Sequence, residues 1–170
     1  MSEIQNLGSQ EAIGKLKALA EGIDICLFGS GAGEADGSRF RPMSTKLVDD
    51  KGNIYFLSQR GSGKNVEIAD DPAVHLFYSD PGKSSFLIVE GRAEICTDRE
   101  KIEELWSLLD RTWFKEGKDD PSISIIKVQP ESAHYWDTEG NSMVNFFKMI
   151  ASAATGKTLV KGREGSLHLK

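Results

Sequence analysis

The chain is predicted to be mainly β, of the α+β class: an antiparallel sheet of six or more strands curled into a closed or nearly closed barrel, with helices on its flanks. Three observations carry this. Short runs of strand formers follow one another through the middle of the chain, joined by tight turns, the connection that antiparallel neighbours use. Along residues 85–96, Leu87, Val89, Gly91, Ala93 and Ile95 alternate with Glu90, Arg92 and Glu94, so one face is buried and the other is mostly polar. The regular alternation of strand and helix that a dinucleotide-binding fold requires is missing. Six or more strands with one buried face are best accommodated by curling the sheet on itself.

The elements follow in order. Residues 9–20 read as a helix that Ser9 can cap, with Ile13, Leu16, Leu19 and Ala20 on one face. The run IDICLFG is too short for a second helix and is rich in strand formers, and 29–37 is a glycine-rich turn. Extended stretches at 40–48 and 53–58 form a hairpin across Asp49-Asp50-Lys51-Gly52. Gly61-Ser62-Gly63 breaks the second of them, and 64–69 is a short helix stopped by Asp70-Asp71-Pro72. Strands at 73–78 and 85–96 flank the turn Asp80-Pro81-Gly82. A helix over 99–113 is expected from a Thr97/Glu100 capping box and from the period of Ile102, Leu105, Trp106, Leu109 and Trp113. A Gly-, Asp- and Pro-rich loop at 117–121 ends it, and 123–128 is a last core strand continuing past Pro130 toward His134-Tyr135-Trp136. Residues 142–154 read as helical, and Gly156 ends that helix. The tail 156–170 carries Lys157, Lys161, Arg163 and Lys170 against Glu164 and is expected to be a solvated basic terminus beyond a domain spanning 1–155.

Composition narrows the function. The 170 residues carry 21 Lys and Arg against 26 Asp and Glu, a net charge of −5, which disfavours a nucleic-acid binder. The two cysteines, Cys26 and Cys96, sit in apolar runs and read as buried thiols in a reducing compartment. The N-terminus lacks the pattern of a signal peptide, and no apolar run approaches membrane-spanning length, so a soluble, cytoplasmic protein without membrane contact is expected.

Several apparent motifs fail. Gly29-Ser30-Gly31-Ala32-Gly33 has Glu34 where a dinucleotide fingerprint needs glycine, and Gly63-Lys64 lacks the flanking residues of a P-loop. His75, His134 and His168 are scattered, with no metal-ligand spacing, and no serine sits in a G-x-S-x-G elbow. What remains is a set of cations and hydroxyls. Arg41 and Lys46 lie five apart on one extended stretch and would face opposite sides of a regular strand. Ser58 ends the next strand, and Ser62 and Lys64 open the short helix, whose free amides and added charge suit an anion such as phosphate; a capped surface helix with a solvated lysine is the alternative. Met43, Leu57, Trp106 and Trp113 could supply a flat apolar wall, although aromatics on a periodic helix also serve as core.

The segments Arg41-Pro42-Met43, GNIYFLSQRGSGKNVEIADDPAVHLFY, FLIVEGRAEICTDREKIEELW, WFKEGKDDP and HYWD together resemble the general stress protein 26 family, within the pyridoxamine 5′-phosphate oxidase-like flavoproteins. The resemblance covers residues 5–155. It implies a six-stranded antiparallel split β-barrel, a homodimer, and FMN held at the subunit interface. It also implies flavin contacts from Arg41, Pro42, Met43 and Lys46, from the strand end Phe56-Leu57-Ser58, from the phosphate loop Ser62-Gly63-Lys64, and from Trp113. Pyridoxine phosphate oxidases proper carry arginine where Gly63 stands and glutamine where Phe86 stands, and end in an R-x-H that Arg163 and His168 do not form. The resemblance therefore implies an FMN-dependent oxidoreductase acting on another small substrate, with NAD(P)H or another small molecule as reductant and no catalytic side chain assigned. A non-catalytic flavin-binding or sensor module in stress response is the alternative.

Overall fold

A computed structural model of the chain describes residues 3–4, 7–31, 39–138 and 162–169. The helix expected at 142–154 lies outside the described residues. One sheet holds ten strands rather than six: β1 Glu3–Ile4, β2 Leu7–Gly8, β3 Ile25–Ser30, β4 Phe40–Ser44, β5 Leu47–Val48, β6 Ile54–Gln59, β7 Ala73–Asp80, β8 Ser85–Cys96, β9 Ile123–Thr138 and β10 Gly162–His168. Three of the ten are two-residue strands, which explains why a pattern of alternating residues does not reveal them. The order along the sheet is β1-β10-β9-β8-β7-β3-β4, with β2 also on β10, and β6 bridging β5 and β9. Every pairing is antiparallel except those of β1 and β2 with β10.

Two apolar clusters divide the interior. The larger lies inside the curled sheet, where Phe28 of β3 meets Phe56 of β6 edge-on at 5.3 Å between ring centroids. Helix α1, Ser9–Ile23, closes it with Ala12, Leu16, Leu19 and Ala20. Gly8 rather than Ser9 is the cap residue, and no side chain caps the helix. The smaller cluster lies on the other side of β6 and β9, where Tyr55, Leu57, Ile123 and Ile125 receive Ile102 and Leu105 of α3, Arg99–Leu105, together with Phe114. β6 is therefore buried on both faces, while β8 keeps the alternation its sequence shows.

Three further expectations change. The helix at 99–113 stops at Leu105, because the Ser107 hydroxyl and amide both donate to Asp110, starting a separate 3₁₀ turn, Leu108–Thr112. Leu109 and Trp113, which fit the helical period, are 81% and 71% exposed. α3 itself is capped by Asp98, which accepts from the amides of Glu100 and Lys101, and not by Thr97. Residues 162–168 of the basic tail are not a solvated terminus: they form β10, paired with the C-terminal half of β9.

The hairpin at 49–53 is built as its sequence suggests. Asp49 accepts from the amides of Lys51 and Asn53 and from the side chains of Asn53 and Tyr55, and Gly52 takes φ +83°. A bulge sits opposite Gly91: Glu90 pairs with Ser132 but Gly91 pairs with Pro130, leaving Glu131 extra on β9. Pro130 cannot donate to the ladder and is tolerated at this irregularity. A Cβ at Gly91 would lie 2.4 Å from the Gln129 carbonyl oxygen and 3.0 Å from Pro130 Cα. Gly91→Ala should therefore destabilise the fold by about 2 kcal/mol. Thermal denaturation of the two proteins measures this, and an unchanged melting temperature would contradict the tight approach.

Candidate functional site

A cavity of about 470 Å³ opens where the ends of β3, β4 and β6, the start of α2 (Gly63–Asp70) and the 3₁₀ turn converge. Its size lies within the range of small-molecule sites. Ile25, Met43, Leu57, Trp113 and Phe114 give it an apolar wall.

The backbone explains how Arg41 and Lys46 come to line this one cavity instead of facing opposite ways. Pairing with β3 ends at Ser44; the Thr45 amide then donates to the Asp24 carbonyl, and the Lys46 amide to the Tyr55 carbonyl. The chain thus leaves β3 and joins β6 between the two cations, and the alternation is broken there. The buried hydroxyl of Thr45, 2.8 Å from that of Tyr78, holds the crossing point.

Two of the three cations are already paired. Arg41 donates through Nη1 and Nη2 to Glu67 Oε2 at 3.1 and 3.0 Å, and Ser30 Oγ donates to the same oxygen at 2.5 Å. The Ser30 hydrogen bond first, and the Arg41 guanidinium after it, hold the Glu67 carboxyl below the usual carboxylate range against the opposing effect of burial. Lys46 Nζ lies 2.5 Å from Asp110 Oδ1, and both side chains are about nine-tenths buried. Lys64 lines the cavity half-buried, with no hydrogen bond or ion pair among the described residues. Burial first, and the neighbouring Arg41 second, push its pKa below the ordinary lysine value, while Glu67 opposes.

The hydroxyls are used differently from expectation. Ser62 is the cap residue of α2, but its side chain does not cap the helix. Instead Ser62 and Ser58 donate to Asn65 Oδ1, Asn65 donates to Ser124 Oγ, and Ser124 donates to the Ser58 carbonyl. This closed network fastens α2 to β6 and β9, and it spends the Ser58 and Ser62 protons inside the protein. The first amides of α2, those of Gly63 and Lys64, have no carbonyl partner among the described residues.

Of the sequence-predicted site residues, the cavity gathers Arg41, Pro42, Met43, Lys46, Leu57, Ser58, Lys64 and Trp113. Phe56 is not among them; its ring is fully buried against Phe28, because it is on the inner face of β6. Ser62 and Gly63 lie beside the cavity without lining it, and Trp106 packs on Phe114 in the second cluster, with centroids 6.1 Å apart. Phe114 is 3% exposed and joins that cluster to the cavity wall. The cavity adds Ile25, Ser44, Gln59, Asp110 and Phe114, which sequence reasoning missed as site residues. For Asp110 a signal existed: Ser107-x-x-Asp110 is itself a capping pattern. Among the described residues no histidine lines this cavity; His134 and His168 border a separate hollow on β9 and β10. Among the described residues, no group of three His, Cys, Asp or Glu could hold a metal, and no helix is long and apolar enough to cross a membrane. Cys26 and Cys96 are unpaired, and burial pushes the Cys26 thiol up to about 12.

A model of the family described as "Pyridoxamine 5′-phosphate oxidase like" matches residues 11–160. The chain belongs to this family. It is 33% identical over 81 residues to general stress protein 26 of Bacillus subtilis (strain 168), a match covering 46% of this chain and 57% of that protein, so the chain spans little more than half of that relative's length. A crystal structure from Jannaschia sp. CCS1, named for general stress protein 26, superposes with a TM-score of 0.78 at 25% identity, covering 93% of this chain and 98% of the other. The general stress FMN/FAD binding protein of Xanthomonas citri superposes at 0.63 with 21% identity, covering 76% and 90%. The curled sheet with its three helices is the split-barrel fold of these general stress protein 26 neighbours.

The Lys46–Asp110 pair joins the cavity to the 3₁₀ turn. Asp110→Ala removes one member of a buried ion pair and two hydrogen bonds from Ser107, and should cost about 3 kcal/mol. Lys64→Ala removes no partner and should leave stability within about 0.5 kcal/mol of wild type. Urea denaturation of the two variants provides the comparison; equal midpoints would refute this ordering.

Proposed function

We propose that the protein is an FMN-binding flavoprotein and that the flavin supplies hydride or electron chemistry toward a small substrate. The observation that carries this reading is the cavity itself: an apolar wall and one half-buried cation, Lys64, with no hydrogen-bond or ion-pair partner among the described residues, at the N-terminus of α2. The residues present fit the group. Met43, Leu57 and Trp113 offer apolar surface to a planar ring, while Lys64 Nζ and the free amides of Gly63 and Lys64 offer donors to a phosphate. Membership of the family supports the same reading, as does the neighbour named for FMN/FAD binding. FMN has about 31 heavy atoms, and at about −0.3 kcal/mol per atom the expected dissociation constant is ~10⁻⁷ M.

The protein's own share is orientation and electrostatics. The apolar wall excludes water from the ring, Lys64 holds the phosphate end, and the Lys46–Asp110 pair keeps the 3₁₀ turn and Trp113 against the cavity mouth. Gly63 and Phe86 stand where pyridoxine phosphate oxidases proper carry arginine and glutamine, which argues against pyridoxine phosphate as the substrate. The alternative is a flavin-binding module without turnover. Stopped-flow reduction by NAD(P)H and reoxidation separate the two: turnover supports the oxidoreductase, and tight binding without it supports the module.

Lys64→Ala should weaken FMN binding roughly 10- to 150-fold, because a charge-assisted hydrogen bond to phosphate is lost. Riboflavin, which lacks the phosphate, should be affected much less. Fluorescence titration of both flavins reads this out; an equal loss for the two, or FMN affinity within about threefold of wild type, would show that Lys64 does not hold the phosphate.

We also propose a homodimer with the flavin at the interface. Ile25 and Leu27, about half exposed, and Phe86, 37% exposed, place apolar side chains on the outer sheet face. Ile25 belongs to both this face and the cavity wall, so a partner seated on the face would cover the cavity mouth. Light scattering at micromolar concentration should give twice the chain mass for wild type and a lower mass for Leu27→Asp. A monomeric wild type with flavin bound would refute the dimer.

A further inference from the structure

Among the described residues, Glu67 is the one carboxylate paired with Arg41 at the cavity edge. It sits on the first turns of α2, three residues after Lys64, and does not itself line the cavity. A single oxygen, Oε2, accepts all three hydrogen bonds, from Ser30 and from both terminal nitrogens of Arg41. Arg41 Nη1 also reaches Ser30 Oγ at 3.2 Å. Arg41 and Lys64 are close enough for each to bear on the other: Arg41 is one reason the Lys64 pKa is lowered, and Glu67 is what opposes the shift.

Electrostatics gives this arrangement a consequence for a ligand. Without Glu67, Arg41 and Lys64 would present two uncompensated positive charges side by side at a half-buried site. With it, the three groups carry a net charge of one, and the guanidinium spends both terminal nitrogens on a protein carboxylate. The Lys46–Asp110 pair, on the other side of the cavity, adds nothing to the sum. A phosphate monoester is close to dianionic at neutral pH, so it meets less than matching charge, and a carboxylate as its near neighbour.

We propose that Glu67 is an affinity-setting residue: an internal counter-ion that clamps Arg41 and limits how tightly the cavity holds a phosphorylated ligand. The inference rests on the reading that the cavity takes FMN through Lys64. Its residue-level content is separate, because it concerns the charge of a group that no ligand needs to touch. Arg39 also contributes positive charge near Glu67 and lies outside the cavity lining.

The test is titration of FMN and riboflavin against wild type, Glu67→Gln and Glu67→Ala. Glutamine keeps an acceptor oxygen where Oε2 stands, so Ser30 and Arg41 retain their partner while the negative charge is gone. FMN should bind Glu67→Gln roughly tenfold more tightly than wild type, with riboflavin unchanged, and the gain should shrink as salt is raised. Alanine removes charge and clamp together, so Glu67→Ala should show less of the gain than glutamine. FMN bound by wild type but no tighter by Glu67→Gln, or a gain shared equally by riboflavin, overturns the role of Glu67 and leaves the flavin reading standing. Wild type that binds neither flavin overturns both.

Discussion

The structure depends on one strand serving three neighbours. β9 runs sixteen residues and pairs with β8 over most of its length. On its other edge it pairs with β10 through its C-terminal half and with β6 through its N-terminal half. A flat ribbon cannot do this while keeping a single buried face. The bulge at Glu131, admitted by Gly91 and Pro130, is where β9 is re-aimed, and it falls between the two pairings. Everything on the β6 side follows from that bend: β6 is carried across to face β3, Phe56 meets Phe28 inside, and the opposite face of β6 becomes a surface for α3. The cavity lies at the free end of β6, where the curled sheet comes round to β4 without closing hydrogen bonds to it.

Polar groups fix the cavity walls more tightly than apolar packing alone would. The Ser58–Asn65–Ser124 network is buried, and each member both gives and receives, so it holds α2 in one position on β6 and β9 without stranding a donor. Lys64 is the residue immediately before Asn65. Its placement at the cavity edge is thus inherited from a neighbour pinned inside the protein. The Asp110 cap does the same for the 3₁₀ turn: one carboxylate ends the regular helix, starts the turn and holds Lys46.

Much of the sheet was legible in the sequence because strands with one buried face alternate, and β8 shows the pattern plainly. The two-residue strands were not, since a period of two cannot be seen in two residues. β10 was hidden for a different reason: its charges suggest solvent, yet Arg163 and Glu164 are only half-buried, and the strand pairs through backbone groups that carry no sequence signal. The helix predicted over 99–113 illustrates competition between two valid signals. The apolar period continues past Leu105, but the local Ser107–Asp110 cap takes over there, and Leu109 and Trp113 are left outside. At the candidate site the residue types were legible and their directions were not. Arg41 and Lys46 converge because the chain changes partner at Thr45, which no periodicity announces. Phe56 turns inward because β6 is buried on both faces, so the apolar run hides which residues face which side.

The charge arrangement separates structural cations from an available one. An ion in a largely buried position needs a counter-ion, and Lys46 and Arg41 each have a carboxylate close by. Lys64 has none, yet it is half-buried, and burial lowers its pKa. Such a group gains when an anion enters, because the ligand then supplies the pairing that the protein withholds. The same burial that disfavours the charged amine in the free protein lowers the screening of its contact with a bound phosphate. Three cations of similar appearance in the sequence therefore divide by their partners alone: Lys46 fastens a turn through Asp110, Arg41 is held by Glu67, and Lys64 has no hydrogen-bond or ion-pair partner among the described residues.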